Sequence, residues 1–231
     1  NKPTARSIWG DESSVLVGDL IYARASEMMA ETGSLEIVKT FAAAIRQMSE
    51  GELLQLENIS HPDMDEATYL RILEGKTATL IAAACKAAAI LAGEGVEQQE
   101  RLASFGRDLG LAFQLMDDAL DYRNSSSLLG KPQLADLREG KLTLPVILLR
   151  AQATDSEWTE LARRLQQEPV GADETVSYVA SLVKRYDTSS ATMERASSLT
   201  RQSLETLATF PASEARADLE ALARQLLRRT F

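Results

Sequence analysis

The sequence predicts an all-α protein, and three observations support this fold class. Alanine and leucine abound while aromatic residues make up only 5% of the chain, a composition that favours helix over sheet. Apolar residues recur at helical spacing, and no strand-like alternation or repeat of fixed period stands out. The length of 231 residues is that of one large domain. We therefore predict a single domain over residues 1–231, with its polar C-terminal third on the outside.

The first half of the chain contains four apolar stripes at helical spacing, and each predicts one helix. In chain order they cover residues 15–33, 35–56, 66–91 and 96–122. The turn at Pro62 stops the second helix, and Asp65 is a suitable N-cap for the third. Gly75 lies inside the third helix at a cost of about 1 kcal/mol relative to alanine.

The second half begins with the one long irregular segment, residues 123–140, which is rich in serine, asparagine, glycine and proline. Loops of this length inside a compact helical domain are usually functional or disordered. Shorter helices are predicted after it, at residues 144–151, 156–167, 173–185, 191–210 and 213–229. We expect the irregular segment to become ordered when a ligand binds to it.

Composition excludes several classes of function. The net charge of −9 argues against a nucleic-acid partner, which would need clustered positive charge. Cys85 is the only cysteine, so no intramolecular disulfide forms, and a reducing cytoplasm is expected. His61 is the only histidine, which excludes a metal site built from histidines. The most apolar run, residues 80–91, is broken by Lys86 and is too short to span a membrane.

An acidic cluster lies at the end of the fourth predicted helix. At about 100° per residue, Gln114, Asp117, Asp118 and Asp121 fall within about 100° of one helix face. The three carboxylates repel one another and oppose the helix dipole, so a bound cation would stabilise them. Mg²⁺ prefers such hard oxygen ligands, and the chain offers no cysteine or histidine set for zinc. The cluster alone leaves open an exposed acidic helix end.

Lysines in two other regions extend this pattern. Lys131 and Lys141 lie downstream of the acidic cluster, with Asp136 between them, and Lys76 with Thr77 interrupts an apolar helix upstream. A diphosphate leaving group needs metal ions bridging its oxygens and ammonium groups neutralising the remaining charge. The set of lysines and carboxylates therefore indicates diphosphate chemistry.

Five short motifs resemble those of the trans-prenyltransferases, specifically the long-chain bacterial polyprenyl diphosphate synthases of the octaprenyl type. They are Gly51-Glu52-Leu53-Leu54-Gln55, Lys76-Thr77, Phe113-Gln114 with the three aspartates, Gly130-Lys131 and Gly140-Lys141. The resemblance covers nearly the whole chain and is strongest between residues 51 and 145. It implies an isoprenoid synthase-type helical bundle around a central cavity, and a homodimer.

The resemblance also implies a role for each matching residue. Three aspartates would hold Mg²⁺, or Mn²⁺ in its place, against an allylic diphosphate: Asp117, Asp118 and Asp121. Asp136 would lie in the outer metal shell. Three lysines would grip the diphosphate oxygens: Lys76, Lys131 and Lys141. Gln114 and the carbonyl at Lys76-Thr77 would face the developing allylic cation.

The reaction implied by the resemblance begins with ionisation of the allylic diphosphate. The double bond of isopentenyl diphosphate then attacks the cation, and a proton is lost. The catalysis is leaving-group stabilisation inside a dry apolar tunnel. The product is destined for a membrane, although the chain itself carries no predicted membrane span.

The sequence departs from the family pattern at its start. The family has a first aspartate-rich motif with paired arginines, and an earlier Gly-Lys-Arg for isopentenyl diphosphate, whereas this sequence opens at Asn1-Lys2-Pro3, just downstream of them. We expect the natural protein to carry these motifs before Asn1, and we expect the 231 residues alone to be unable to elongate a chain. A smaller departure is Ala135, where the family often has a second acid beside Asp136.

Two alternative functions stay open at this point. A non-catalytic or regulatory subunit of a heteromeric prenyl synthase would keep the fold, but it would have no reason to keep the repulsive cluster of Asp117, Asp118 and Asp121. A class I terpene cyclase shares the helical fold and an aspartate-rich motif. The Lys76-Thr77 pair and the two Gly-Lys pairs favour the chain-elongating enzymes.

Overall fold

The computed structural model of the chain describes residues 3–123 and 134–227, and all regular structure in these ranges is helical. The longer helices of the first half are α1 (Ala5–Glu31), α2 (Leu35–Glu57), α3 (Glu66–Leu73), α4 (Thr79–Leu91) and α5 (Val96–Asp121). Three single-turn helices follow: α6 (Ala135–Arg138), α7 (Leu144–Ile147) and α8 (Leu149–Gln152). The last four are α9 (Asp155–Gln167), α10 (Asp173–Tyr186), α11 (Thr188–Ala208) and α12 (Glu214–Leu227). The predicted all-α class is confirmed.

The helix starts follow the capping chemistry of the sequence. The Asp65 side chain accepts a hydrogen bond from the Thr68 backbone nitrogen at 2.7 Å, as predicted for the N-cap of α3. Ser34 caps α2 in the same way. Thr154 and Glu157 form a capping box at the start of α9, where each side chain reaches the backbone of the other residue.

The prediction of one continuous helix over residues 66–91 is wrong at its centre. A π-helical turn, Glu74–Ala78, separates α3 from α4. Here the backbone of Gly75 lies against that of Gly51 in α2, because a Cβ added to Gly75 would be only 2.9 Å from the Gly51 Cα atom. Two glycines thus bring the π turn and α2 into backbone contact. Short π segments of this kind occur frequently at functional sites.

Helix α5 is the central element, packed between α4 on one side and α11 on the other. Its glycines allow close approach to the preceding helical segment, since a Cβ at Gly110 would lie 2.7 Å from the Ala78 Cα atom. Phe105, Leu115 and Met116 of α5 are almost fully buried. The rigid placement of α5 matters because its C-terminal end carries the acidic cluster.

The prediction that the C-terminal third packs on the outside is wrong. Leu161 in α9, Val179 and Leu182 in α10, and Ala196 in α11 are buried in the main core, each with at most 1% of its surface exposed. These helices are amphipathic. Their polar faces dominate the composition, yet one apolar stripe on each helix is enough to close the core.

Helix α1 lies at the edge of the bundle and packs on α2. None of its residues is buried, and large apolar side chains including Trp9, Leu16, Leu20 and Ile21 are exposed. Gly10, at a φ of 80°, introduces a kink near the start of this helix. None of the helices in residues 3–123 and 134–227 has the length and apolar character needed to cross a membrane.

Candidate active site

A cavity opens where α2, α3, the π turn, α5 and residues 136–143 meet. Tyr69, Thr143 and several apolar side chains form part of its wall. Seven predicted or motif residues also line it: Gln55, Lys76, Thr77, Gln114, Asp118, Asp136 and Lys141. Side chains up to 88 residues apart in the sequence, from Gln55 to Thr143, therefore face one cavity.

A chain of hydrogen bonds crosses the cavity wall from α3 to the π turn. The Tyr69 hydroxyl donates to Asp118 Oδ2 at 2.6 Å, and Gln114 Nε2 donates to Asp118 Oδ1 at 2.9 Å. The Thr77 hydroxyl donates to Gln114 Oε1 at 3.3 Å. Gln114 and Asp118 are one helical turn apart on α5, so their side chains meet on the same face.

Asp118 lies in a strongly desolvated position, with 2% of its surface exposed. Burial, helped by the nearby charges of Asp136 and Asp117, raises its pKa to about 7, against the opposing hydrogen bonds from Tyr69 and Gln114. Burial and the Asp136 charge also raise the pKa of Asp121. The carboxylates thus destabilise one another's charged forms, which a bound cation would reverse.

Lys76 reaches the cavity from the π turn. Its ammonium group donates to Gln55 Oε1 at 2.5 Å and lies 3.1 Å from Glu52 Oε1. Both partners belong to the Gly-Glu-x-x-Gln motif of α2, whose Gly51 makes the backbone contact with Gly75. The motif therefore brings α2 close to the π turn and supplies both partners of the Lys76 ammonium group.

Lys141 reaches the cavity from the segment of residues 136–143. Its ammonium group pairs with Glu139 and lies 3.8 Å from Asp136 Oδ1. Burial lowers its pKa, but the hydrogen bond and charge of Glu139 outweigh this and leave the pKa raised. Gly140, at a φ of 75°, makes the turn that brings Lys141 inward, and a Cβ there would be 2.7 Å from the Ser60 hydroxyl oxygen.

The predicted residues are not all equally placed. Six of them line the cavity: Lys76, Thr77, Gln114, Asp118, Asp136 and Lys141. Asp117 is exposed and Asp121 is half-buried, and neither lines it. Lys131 lies outside the described residues, as do residues 124–133 of the segment expected to become ordered with ligand. The prediction about that segment stays a prediction.

The carboxylates of Asp117, Asp118, Asp121 and Asp136 are suitable ligands for a divalent cation. In residues 3–123 and 134–227, no three acidic, histidine or cysteine side chains are already arranged as a metal cage. Asp121 Oδ2, however, is buried and has no hydrogen-bond partner among these residues. A buried carboxylate oxygen without a donor is costly. Hard oxygens in this state fit Mg²⁺, which is usually held by one or two carboxylates together with substrate phosphates.

Sequence reasoning missed Tyr69 and gave no role to Gln55 or Glu52. Gln55 and Glu52 belong to a motif that was visible, but their contact with Lys76 depends on two glycines meeting across helices. Tyr69 shows no signal except its place on the apolar side of α3. Its contact with Asp118 bridges 49 residues, a separation that no local pattern records.

The fold and the site define an all-helical protein of the isoprenoid synthase type, with carboxylates, lysines and an amide around one cavity. The sequence pattern of the Polyprenyl synthetase family matches residues 1–183, and the chain belongs to this family.

The octaprenyl diphosphate synthase of Escherichia coli K12 is 42% identical over 166 residues, which cover 72% of this chain and 51% of that protein. The chain thus spans about half the length of that relative. The structure of a decaprenyl diphosphate synthase from Rhodobacter capsulatus matches with a TM-score of 0.89 at 35% identity, over all of this chain and 71% of that one.

A polyprenyl synthase from Caulobacter crescentus, solved with calcium and isoprenyl diphosphate, matches with a TM-score of 0.88 at 40% identity. That match covers all of this chain and 70% of the Caulobacter chain. Both structural matches extend the similarity beyond residue 183 to the last helices.

Proposed function

We propose that the protein is a Mg²⁺-dependent polyprenyl diphosphate synthase, which condenses isopentenyl diphosphate with an allylic diphosphate to make long trans-prenyl diphosphates, such as those used for quinone side chains. The observation that carries this proposal is the meeting of Lys76, Lys141, Gln114 and Asp118 at one cavity. Positive groups for a diphosphate, oxygens for a metal and a neutral amide are what such a reaction requires. The calcium and isoprenyl diphosphate in the Caulobacter relative support the same ligand class.

In this proposal the metal is Mg²⁺, with Mn²⁺ as an alternative, and Asp117, Asp118 and Asp121 hold it. Asp136 lies in the outer shell. Bound metal would neutralise diphosphate charge as the leaving group departs. The support is the unpaired Asp121 oxygen, together with the mutual repulsion that raises the pKa values of Asp118 and Asp121.

Lys76 and Lys141 bind the diphosphate oxygens in this proposal, and Lys131 is the third lysine of the set. Each of the first two is held by a carboxylate, Glu52 for Lys76 and Glu139 for Lys141. Both carboxylate side chains are more than half exposed, so water can solvate them when a diphosphate displaces them. The Gln114 amide oxygen and the carbonyl at Lys76-Thr77 face the allylic cation, whose charge they stabilise.

We also propose that the protein is one domain over residues 1–231, works in the cytoplasm and forms a homodimer. The exposed apolar side chains of α1, which include Trp9, Leu16, Leu20 and Ile21, support self-association, since contiguous apolar patches of this kind mark interaction surfaces. The single thiol at Cys85 is in keeping with a reducing compartment.

The chain-elongating activity is favoured over the two alternatives. A class I terpene cyclase would not need both Lys76 and Lys141 at the cavity, and the family match is to polyprenyl synthetases. A regulatory subunit would gain nothing from burying Asp118 beside Asp117 and Asp136 at a cost in stability.

The test is an assay of the full gene product with labelled isopentenyl diphosphate and a series of allylic primers, with Mg²⁺ or with a chelator. We expect Lys76→Ala to lower the rate by about tenfold or more, through loss of charge stabilisation. Lys86→Ala is the matched control, because Lys86 lies on α4, pairs with Glu100 and does not line the cavity. Absence of elongated diphosphate products with every primer at saturating Mg²⁺ would refute the proposal. Cyclic hydrocarbon products would support the cyclase instead.

A further inference from the structure

Tyr69 has no place in the function proposed above, yet its hydroxyl holds the Asp118 carboxylate. Its side chain is 2% exposed on α3, and the hydroxyl donates to Asp118 Oδ2 at 2.6 Å. Burying a phenol oxygen or a carboxylate without a partner costs free energy, so each group satisfies the other. The same bond removes the rotational freedom of the Asp118 carboxylate.

The hydrogen bonds at Asp118 fix the orientation of a second group. In the ionised form that would hold a metal ion, the Asp118 carboxylate can only accept hydrogen bonds, so Gln114 turns its Nε2 group towards Asp118 Oδ1, at 2.9 Å. This leaves Gln114 Oε1 on the side of Thr77, whose hydroxyl donates to it at 3.3 Å. The opposite amide orientation would place oxygen against oxygen at Asp118. The carboxylate thus decides which end of the Gln114 amide faces Thr77.

We propose that Tyr69 is a positioning residue of this site: it fixes the Asp118 carboxylate, and Asp118 in turn holds the Gln114 amide with its oxygen towards Thr77 and the cavity. The inference rests on the proposed function, because the orientation of this amide matters for catalysis only if a cation forms beside it. The two ends of an amide carry opposite partial charges. A reversed amide would therefore present its positive end to the developing cation, where preorganised dipoles have their largest effect.

The chain contains a matched control for Tyr69. The Tyr186 hydroxyl also donates to a carboxylate oxygen at 2.6 Å, that of Glu157, but this pair joins α10 to α9 and does not line the cavity. Tyr69→Phe and Tyr186→Phe therefore remove the same atom and the same kind of hydrogen bond. Only the first substitution releases Asp118.

The first measurement is independent of activity. In protein labelled with ¹⁵N-glutamine, the side-chain amide resonance of Gln114 is assigned by its absence from a Gln114→Glu variant. We expect Tyr69→Phe to shift this resonance and Tyr186→Phe to leave it in place. An unchanged Gln114 resonance in folded Tyr69→Phe protein would overturn the proposal.

The second measurement uses the full gene product and separates positioning from a purely structural role. We expect Tyr69→Phe to lower kcat by about 10- to 100-fold, the usual effect of losing a group that orients a metal-site ligand. The KM values for both diphosphates should stay within about twofold, and Tyr186→Phe should change neither constant by more than this. In a Gln114→Ala background, Tyr69→Phe should cost much less than in the wild type, since the group it positions is gone.

An equal loss of kcat in both backgrounds, or the same loss with Tyr186→Phe, would overturn the positioning role. An inactive wild-type protein would count against the proposed function instead, and the amide resonance would then decide the role of Tyr69 by itself. An active wild type with an unimpaired Tyr69→Phe variant would refute only this inference.

Discussion

Two tyrosine–carboxylate pairs in this protein have the same kind of hydrogen bond, but the pKa values of their carboxylates are shifted in opposite directions. The Tyr69 hydroxyl donates to an Asp118 carboxylate oxygen at 2.6 Å, and the Tyr186 hydroxyl donates to a Glu157 carboxylate oxygen at the same distance. The pKa of Asp118 is raised to about 7, whereas that of Glu157 is lowered to about 2. The bond to Tyr186 and those from Thr154 account for most of the lowering at Glu157, with Arg185 adding to it.

The difference between the pairs lies in what surrounds them. At Asp118 burial dominates, and the nearest charges, Asp136 and Asp117, are of the same sign. Glu157 is half-buried at the start of α9, where it completes a capping box and an arginine pairs with it. The ionised form of Glu157 is thus stabilised by its surroundings, whereas the ionised form of Asp118 is destabilised by its surroundings. Strongly perturbed carboxylates of the second kind are typical of functional sites.

The largest expected effect separates the two pairs by activity. If the proposed function holds, Asp118→Ala should raise the activation free energy of elongation by several kcal/mol. The elongation rate should then fall on the order of a hundredfold or more. Glu157→Ala should lower the melting temperature and leave the rate per folded molecule nearly unchanged. Steady-state assays of the full gene product at saturating Mg²⁺ measure both. Near-wild-type turnover by Asp118→Ala would remove this aspartate from the site.

The second prediction concerns stability and pH in the absence of metal. Because the folded-state pKa of Asp118 is above its ordinary value of 3.8, the native protein binds a proton more tightly than the unfolded chain does. The free energy of unfolding should therefore fall as pH rises from about 4 to about 7, by up to about 1.4 kcal/mol per pH unit from this group. Urea unfolding with a chelator present, at several pH values, measures the slope.

Asp118→Asn should flatten that slope, because the amide does not titrate. Glu157→Gln should leave the slope above pH 5 intact. The lowered pKa of Glu157 places its contribution in another window: it is present above pH 4.5 and lost as pH falls towards 2. Parallel curves for Asp118→Asn and the wild type between pH 4 and 7 would contradict the assignment.

The third prediction compares a glycine beside a cavity residue with a glycine outside the cavity. Gly75→Ala should destabilise the protein by about 1–3 kcal/mol, since the new Cβ would lie 2.9 Å from the Gln47 carbonyl oxygen and force α2 away from the π turn. Gly93→Ala, between α4 and α5, should also destabilise it, because Gly93 has a φ of 76°, although its Cβ would meet no other atom within 4 Å.

Only the Gly75 substitution moves Lys76. We therefore expect Gly75→Ala to raise the KM for the allylic diphosphate and Gly93→Ala to leave it unchanged in the folded fraction. Chemical denaturation and substrate titration on the same samples separate the two effects. Equal KM changes in both variants would show that the contact between Gly75 and Gly51 does not control the lysine.

The smallest expected effect is at the cap of α9. Thr154→Ala removes the side chain that accepts from the Glu157 backbone nitrogen and should cost about 1 kcal/mol of stability. Asp65→Ala removes the equivalent cap of α3, the helix that carries Tyr69, and should cost a similar amount. If Asp65→Ala changes the elongation rate and Thr154→Ala does not, the position of α3 affects catalysis at the cavity.

Much of the fold could be predicted because helix signals are local. The apolar stripes, the cap at Asp65 and the stop at Pro62 lie within a few residues of the elements they define. Where prediction failed, the deciding contact was distant. The π turn at Glu74–Ala78 forms where Gly75 meets Gly51, and α9 to α11 are buried because other helices cover their apolar stripes. Local pattern records neither contact.

The sequence by itself determined the all-helical class, the acidic face of α5 and the presence of lysines suited to a diphosphate. These follow from residue type and from the 3.6-residue period of a helix. Only the tertiary structure decided that Asp118 is buried while Asp117 beside it is exposed, and that Lys76 is held by Gln55. Only the tertiary structure shows that Asp118 accepts a hydrogen bond from Tyr69, 49 residues away. The physical reason is that desolvation and hydrogen-bond direction depend on which helices pack together, and that packing joins segments that are far apart in the chain.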